Sequence, residues 1–137
     1  MKWKESEISQ PVIWVLSVHF RSSEWVRRQR IFLDRFLDVP NVRVFVAHDV
    51  DSSNFCDAET VLPYQGSHAA SLDFLAKFAL ESAKPQDWLL FLDSDAIPVE
   101  RISKLMDVVD AVAAVQRLEN LGDPQPHPCF TLAKVSV

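Results

Sequence analysis

The sequence predicts an α/β protein, a three-layer α/β/α sandwich around a mainly parallel sheet. Strand-like and helix-like patterns alternate from residue 11 onward. The runs PVIWVLSVHF and WLLFL are almost continuously apolar, as strands buried on both faces are. Three polar loops, residues 17–23, 48–54 and 93–98, fall where the carboxyl ends of successive strands would converge. The crossovers are expected to be right-handed.

Residues 1–10 are polar and read as a lead-in, with Trp3 exposed. The first strand covers residues 11–20. Ser22 or Ser23 caps the helix after it, with Glu24 in the first turn where a negative charge suits the helix dipole. That helix runs to about Leu37, with Trp25, Phe32, Leu33, Phe36 and Leu37 on one side, and Pro40 ends it. Residues 41–47 (NVRVFVA) form the second strand, β-branched at alternate places. The loop His48-Asp49-Val50-Asp51-Ser52-Ser53-Asn54 follows. A short strand at residues 60–64 carries Pro63, which marks an edge.

Gly66-Ser67-His68 leads into a long helix over residues 69–84. Leu72, Leu75, Ala76, Ala79 and Ala83 form its buried stripe. Asp73, Lys77 and Glu81 are spaced by four on the other side and can pair. Pro85 breaks the helix, and Trp88-Leu89-Leu90-Phe91-Leu92-Asp93-Ser94-Asp95 follows. Pro98 ends that strand, and Glu100 opens a helix with Ile102, Leu105, Met106 and Val109 inward. Residues 112–116 make a further strand, residues 121–128 (LGDPQPHP) a loop, and residues 129–137 a last strand. Trp14, Trp25 and Trp88 read as core. Left exposed, the terminal strand would pair with another chain, so a homodimer through it is expected.

The 137 residues suit one domain with a real core. A net charge of −5 argues against a nucleic-acid partner. The early arginines Arg21, Arg27, Arg28, Arg30 and Arg35 leave room for a local anion site. Cys56 and Cys129 make no disulfide framework, which suggests a reducing, cytoplasmic compartment. No apolar run reaches membrane-spanning length. With two glycines only, Gly66 and Gly122, no Gly-rich phosphate loop can form. His127 and Cys129 lack a second pair at zinc-ligand spacing.

The chemistry concentrates at Asp93-Ser94-Asp95. On an extended strand the two carboxylates project to the same side, at the carboxyl end where open α/β sheets bind ligands. Two anions this close repel unless a cation sits between them. A hard divalent ion, Mg²⁺ or Mn²⁺, sharing oxygens with a phosphate suits them. The plainer reading is a turn that caps the strand and opens the next helix.

An apolar strand ending in Asp-x-Asp, after a short polar loop and an acidic loop and without a Gly-rich loop, resembles the GT-A glycosyltransferases. The resemblance covers residues 11–118 and is most specific over Trp88-Leu89-Leu90-Phe91-Leu92-Asp93-Ser94-Asp95-Ala96-Ile97-Pro98. It implies the Rossmann-like nucleotide-binding half of such an enzyme. By this resemblance Asp95 ligates Mn²⁺ or Mg²⁺ on the diphosphate of a nucleotide sugar. Asp93 contacts the ribose or joins the metal shell. Asp49 faces the base, His19 and Arg21 touch the nucleotide from the first loop, and His68 lies beside it. The helix before the motif departs from the family, with Ala70-Ser71-Leu72-Asp73 where Arg-Asn is common. The chain is also shorter than a complete GT-A domain, so no catalytic base is assigned. A donor sugar would pass to an acceptor hydroxyl of unassigned kind.

Two rival readings accompany this one. A non-catalytic or vestigial nucleotide-sugar-binding domain would carry the same residues. Haloacid-dehalogenase phosphatases also end an apolar strand in Asp-x-Asp, with the first Asp as nucleophile. They carry a small hydroxylated or β-branched residue two places after the second Asp, where Ile97 stands, and the motif lies near the start of their domain.

Overall fold

The computed structural model describes residues 10–115 and 127–136. The lead-in over residues 1–9 and the loop expected over 121–128, apart from the backbone of its last two residues, lie outside them. β1 (Ile13–Phe20) leads into α1 (Ser23–Phe36), then β2 (Asn41–His48), a 3₁₀ turn (Ser52–Asn54) and β3 (Glu59–Leu62). α2 (His68–Leu80), β4 (Trp88–Leu92), α3 (Ile102–Val108), β5 (Val112–Val115) and β6 (His127–Lys134) complete the order.

The six strands form one sheet in the order β3-β2-β1-β4-β6-β5. β1 pairs in parallel with β2 and β4, and β2 with β3. β6 runs antiparallel to β4 and to β5, so the sheet is mixed. This corrects the expected place of the terminal strand. β6 is hydrogen-bonded on both sides and offers no free edge; the edges are β3 and β5.

Strand alternation sorts the core. Ile13 and Val15 join Phe45, Leu90 and Leu92 against Leu33 and Leu37 of the α1 segment and Ile102 of α3. Leu16 and Val18 join Val44 and Val46 against Leu75 and Ala79 of α2. Full burial stabilises each such large side chain by roughly 1.5–3 kcal/mol. Along α1 the buried positions are Val26, Gln29 and Leu33, continued by Leu37. Trp25, Phe32 and Phe36 flank this stripe half-buried, so the expected face is rotated toward a polar residue, Gln29. Ser22 caps α1, its Oγ accepting from the Trp25 N–H at 3.4 Å. Asp38 caps α3 from across the chain, accepting from the Ser103 N–H at 3.0 Å and its hydroxyl at 2.5 Å. These donors hold the Asp38 carboxyl below the usual carboxylate range.

The amino end of the sheet is tied by one buried acid. Asp87 accepts from the Val12 N–H at 3.0 Å, the Lys84 N–H at 2.8 Å and the Trp14 indole at 3.5 Å. It therefore joins the entries of β1 and β4 to the end of the α2 connection.

Candidate functional site

Strand order places the site. The chain proceeds outward from β1 through β2 to β3, then returns to β4 on the other side of β1. The order reverses between β1 and β4, and open α/β sheets bind ligands outside the carboxyl ends at such a switch point. The parallel register of these strands closes at Leu16 opposite Phe91. β1 continues to Phe20, so the Asp93 turn opens beside the last residues of β1.

The aspartates do not continue the strand. β4 ends at Leu92, and the Ala96 N–H donates to the Asp93 carbonyl at 3.0 Å, closing a β-turn. The expectation that Asp93 and Asp95 share a side by strand alternation is therefore corrected, because the period of two stops one residue earlier. The Asp93 side chain is partly covered and Asp95 is exposed. No described residue donates a hydrogen bond to either carboxylate. His68 at the start of α2 brings its Nε2 to 3.7 Å from Asp93 Oδ1, an ion pair whenever the imidazole is protonated.

Gln29 anchors the turn from beneath. Its Nε2 donates to the Asp93 carbonyl at 3.0 Å and lies 3.4 Å from the carbonyls of Ser94 and Ala96. Its Oε1 stands 3.2 Å from His19 Nε2. With the amide nitrogen committed to carbonyls, Oε1 is the acceptor and the neutral His19 ring carries its proton on Nε2. His19 is fully buried, edge-on to Phe45 and Phe55, and its Nδ1 has no hydrogen-bond partner among the described residues. Burial lowers its pKa to about 4, against smaller opposing effects of Gln29 and Glu59. The expected contact between His19 and a nucleotide is thus corrected: strand alternation turns His19 inward, toward α1.

Arg21 and Asp49 lie exposed at the surface. They follow the paired ends Phe20 and His48 of β1 and β2, and both are left-handed, with φ of 58° and 54°. Left-handed backbone is uncommon outside glycine and clusters at functional sites. The Arg21 N–H donates to the His48 carbonyl at 2.9 Å, and Arg21 Nε donates to Asp49 Oδ2 at 3.3 Å. The Arg21 guanidinium also sits 4.7 Å from the centre of the Phe20 ring.

A cleft of about 530 Å³ is lined by Asp49 and His68 but not by Arg21, Asp93 or Asp95. Val18 and Phe20 form one wall, His48 and Asp49 another, and residues 65–68 the third. Ser67 caps α2, its Oγ accepting from the Ala70 N–H at 3.1 Å. Gly66 passes so close to Tyr64 that a Cβ there would stand 2.8 Å from its ring, which is itself stacked on Phe74. Ser71 Oγ donates to the Ser67 carbonyl at 2.8 Å, so His48 Nε2, 3.3 Å away, donates to that hydroxyl. A second cavity of similar volume follows α3, walled largely by Ile97, Val99, Leu105, Val108 and Phe130. None of the expected site residues borders it.

Sequence reasoning passed over Gln29 and Asp87, since a lone Gln or Asp has no motif; the one available signal was a polar residue on a helix's apolar stripe. Among the described residues no helix is long and apolar enough to cross a membrane. Comparison with protein-family models, curated proteins and solved structures yields no match to this chain.

Proposed function

We propose that this chain is the donor-binding part of a metal-dependent glycosyltransferase of the GT-A type, built as a Rossmann-like three-layer sandwich. One observation carries the reading: the Asp93–Asp95 turn stands at the topological switch point, beside a cleft edged by Phe20, Asp49 and the N-terminus of α2. Core clusters on both faces of the strands support the layered arrangement.

Asp93 and Asp95 would hold Mn²⁺ or Mg²⁺. Two carboxylates are what a Mg²⁺ site uses when substrate phosphates supply further oxygens. Among the described residues no group of three or more His, Cys, Asp or Glu is arranged to hold a metal. The ion supplies neutralisation of charge on the departing diphosphate. The free N–H groups at the start of α2 favour a phosphate. Phe20 offers an exposed ring at the cleft, and Arg21 and Asp49 offer a donor fork and an acceptor for polar groups of the nucleotide. The acceptor would bring a hydroxyl to the anomeric carbon. The compartment consistent with this reading is the cytoplasm, since Cys56 and Cys129 form no disulfide.

The test is calorimetric titration with UDP and GDP, each with and without Mn²⁺. Metal-dependent binding of either supports a diphosphate site and identifies the base. Absence of binding under all four conditions refutes it. Turnover of a chromogenic phosphate ester, abolished by Asp93→Asn, would favour the phosphatase reading instead.

A further inference from the structure

We propose that Gln29 is a positioning residue of this site: its buried amide sets the Asp93–Ala96 turn, and His19 holds that amide in orientation. The proposal rests on the reading of Asp93 and Asp95 as a cation–phosphate site.

Gln29 is 1% exposed and occupies a place on α1 where helical periodicity calls for an apolar side chain. An amide buried there is costly unless its groups are bonded. Its two N–H groups have four oxygens in reach: three turn carbonyls and Ser17 Oγ at 3.5 Å. Its oxygen accepts from His19, a ring that is itself buried and kept neutral. A bond between Gln29 and His19 fixes which way the amide faces. A flipped amide would set Oε1 against the carbonyls and repel them.

The turn gains more than an anchor. The described chain has no cis peptide bond. In a planar trans peptide the carbonyl and the next N–H point in opposite directions. Drawing the carbonyls of Asp93, Ser94 and Ala96 toward Gln29 therefore directs the N–H groups of Ser94, Asp95 and Ile97 away from it. No described residue accepts from those three N–H groups. A preorganised turn of this kind offers donors to a phosphate and carboxylates to a cation without an ordering cost at binding.

The experiment compares wild type with Gln29→Met, which keeps the bulk and removes the amide. Two readouts are taken: hydrogen exchange at assigned amides by NMR, and titration with Mn²⁺ alone and Mn²⁺ plus UDP or GDP. The Ala96 N–H, bonded to Asp93, reports on the turn, and the Val135 N–H, bonded to Asp87 at 2.9 Å, reports on the far end of the sheet. Exchange at Ala96 should rise at least tenfold relative to Val135, and the affinity for Mn²⁺ with nucleotide should fall at least tenfold. Equal acceleration at both amides would mean general destabilisation and overturn the proposal. So would a selectively loosened turn with unchanged affinity. Should Gln29→Met not fold, His19→Leu removes only the orienting partner and should accelerate Ala96 selectively by about threefold; uniform exchange there is likewise fatal. A wild-type chain that binds neither ion nor nucleotide refutes the reading of the site, and the Ala96–Val135 comparison then still decides whether Gln29 fixes the turn.

Discussion

The two ends of the sheet use their acidic residues in opposite ways. At the amino end Asp87 is 3% exposed, and its oxygens accept from two backbone N–H groups and an indole. At the carboxyl end Asp95 is exposed, and neither it nor Asp93 receives a hydrogen bond at its carboxylate from any described residue. The backbone of that second acid pair is nevertheless pinned, by Gln29 below and by the turn itself. An acid that serves the fold is closed around donors of its own chain. An acid with vacant lone pairs on a fixed backbone is available to something else.

The contrast has measurable consequences. Asp87→Ala should cost about 3 kcal/mol of folding stability, because it strands buried N–H donors of Val12 and Lys84. Chemical denaturation measures it, and a loss under about 1 kcal/mol would erase the distinction between the two ends. His19 supplies the next effect. Its folded pKa of about 4 lies below the unfolded value of 6.5, so the unfolded chain takes up the proton first. Stability should therefore fall as pH drops from about 6.5 to about 4, by at most about 3 kcal/mol. His19→Leu should flatten that window, and a denaturation series in pH would reveal it. Glu59 loses its contribution at lower pH still. Burial alone would raise its pKa, but the Arg30 guanidinium and the Cys56 N–H outweigh that and leave it lowered.

At the open end the effects pass from stability to binding. Asp95→Ala should abolish metal-dependent nucleotide binding while changing stability by less than about 0.5 kcal/mol, as exposed substitutions do. Retained binding with unchanged metal dependence in calorimetry would remove Asp95 from the site. Asp49→Gly should be the mildest change. It relieves a left-handed residue, worth roughly 1 kcal/mol, and gives up an exposed ion pair worth less than that, so stability should stay within about 1 kcal/mol. A larger loss on thermal melting would show that Asp49, like Asp87, is structural.

Much of this was legible in the chain. Residues 11–20 and 88–92 announced buried strands through nearly continuous apolar runs, and β1 and β4 lie within or at those bounds. A serine cap at residue 22 or 23, which the structure places at Ser22, and the Asp73–Lys77 pair, at 2.8 Å, were legible from spacing. Pro63 marked β3 as an edge. Gln29 was not legible, because the turn carbonyls it holds are 64 to 67 residues away and no local pattern ties them to it. His19 was misplaced because its exposure depends on which side of β1 the helix α1 covers. The terminal strand was misplaced for a similar reason: sequence order says nothing of insertion between β4 and β5.

By itself the sequence determined the kinds of element, their order and the concentration of acids after β4, since these depend on periodicity, breakers and local chemistry. Tertiary structure alone decided the reversal of order between β1 and β4, the inward turn of His19, the closure of Asp87 and the anchoring of the Asp93 turn by Gln29. Those depend on contacts between segments far apart in the chain, where packing and the need to satisfy buried polar groups act together.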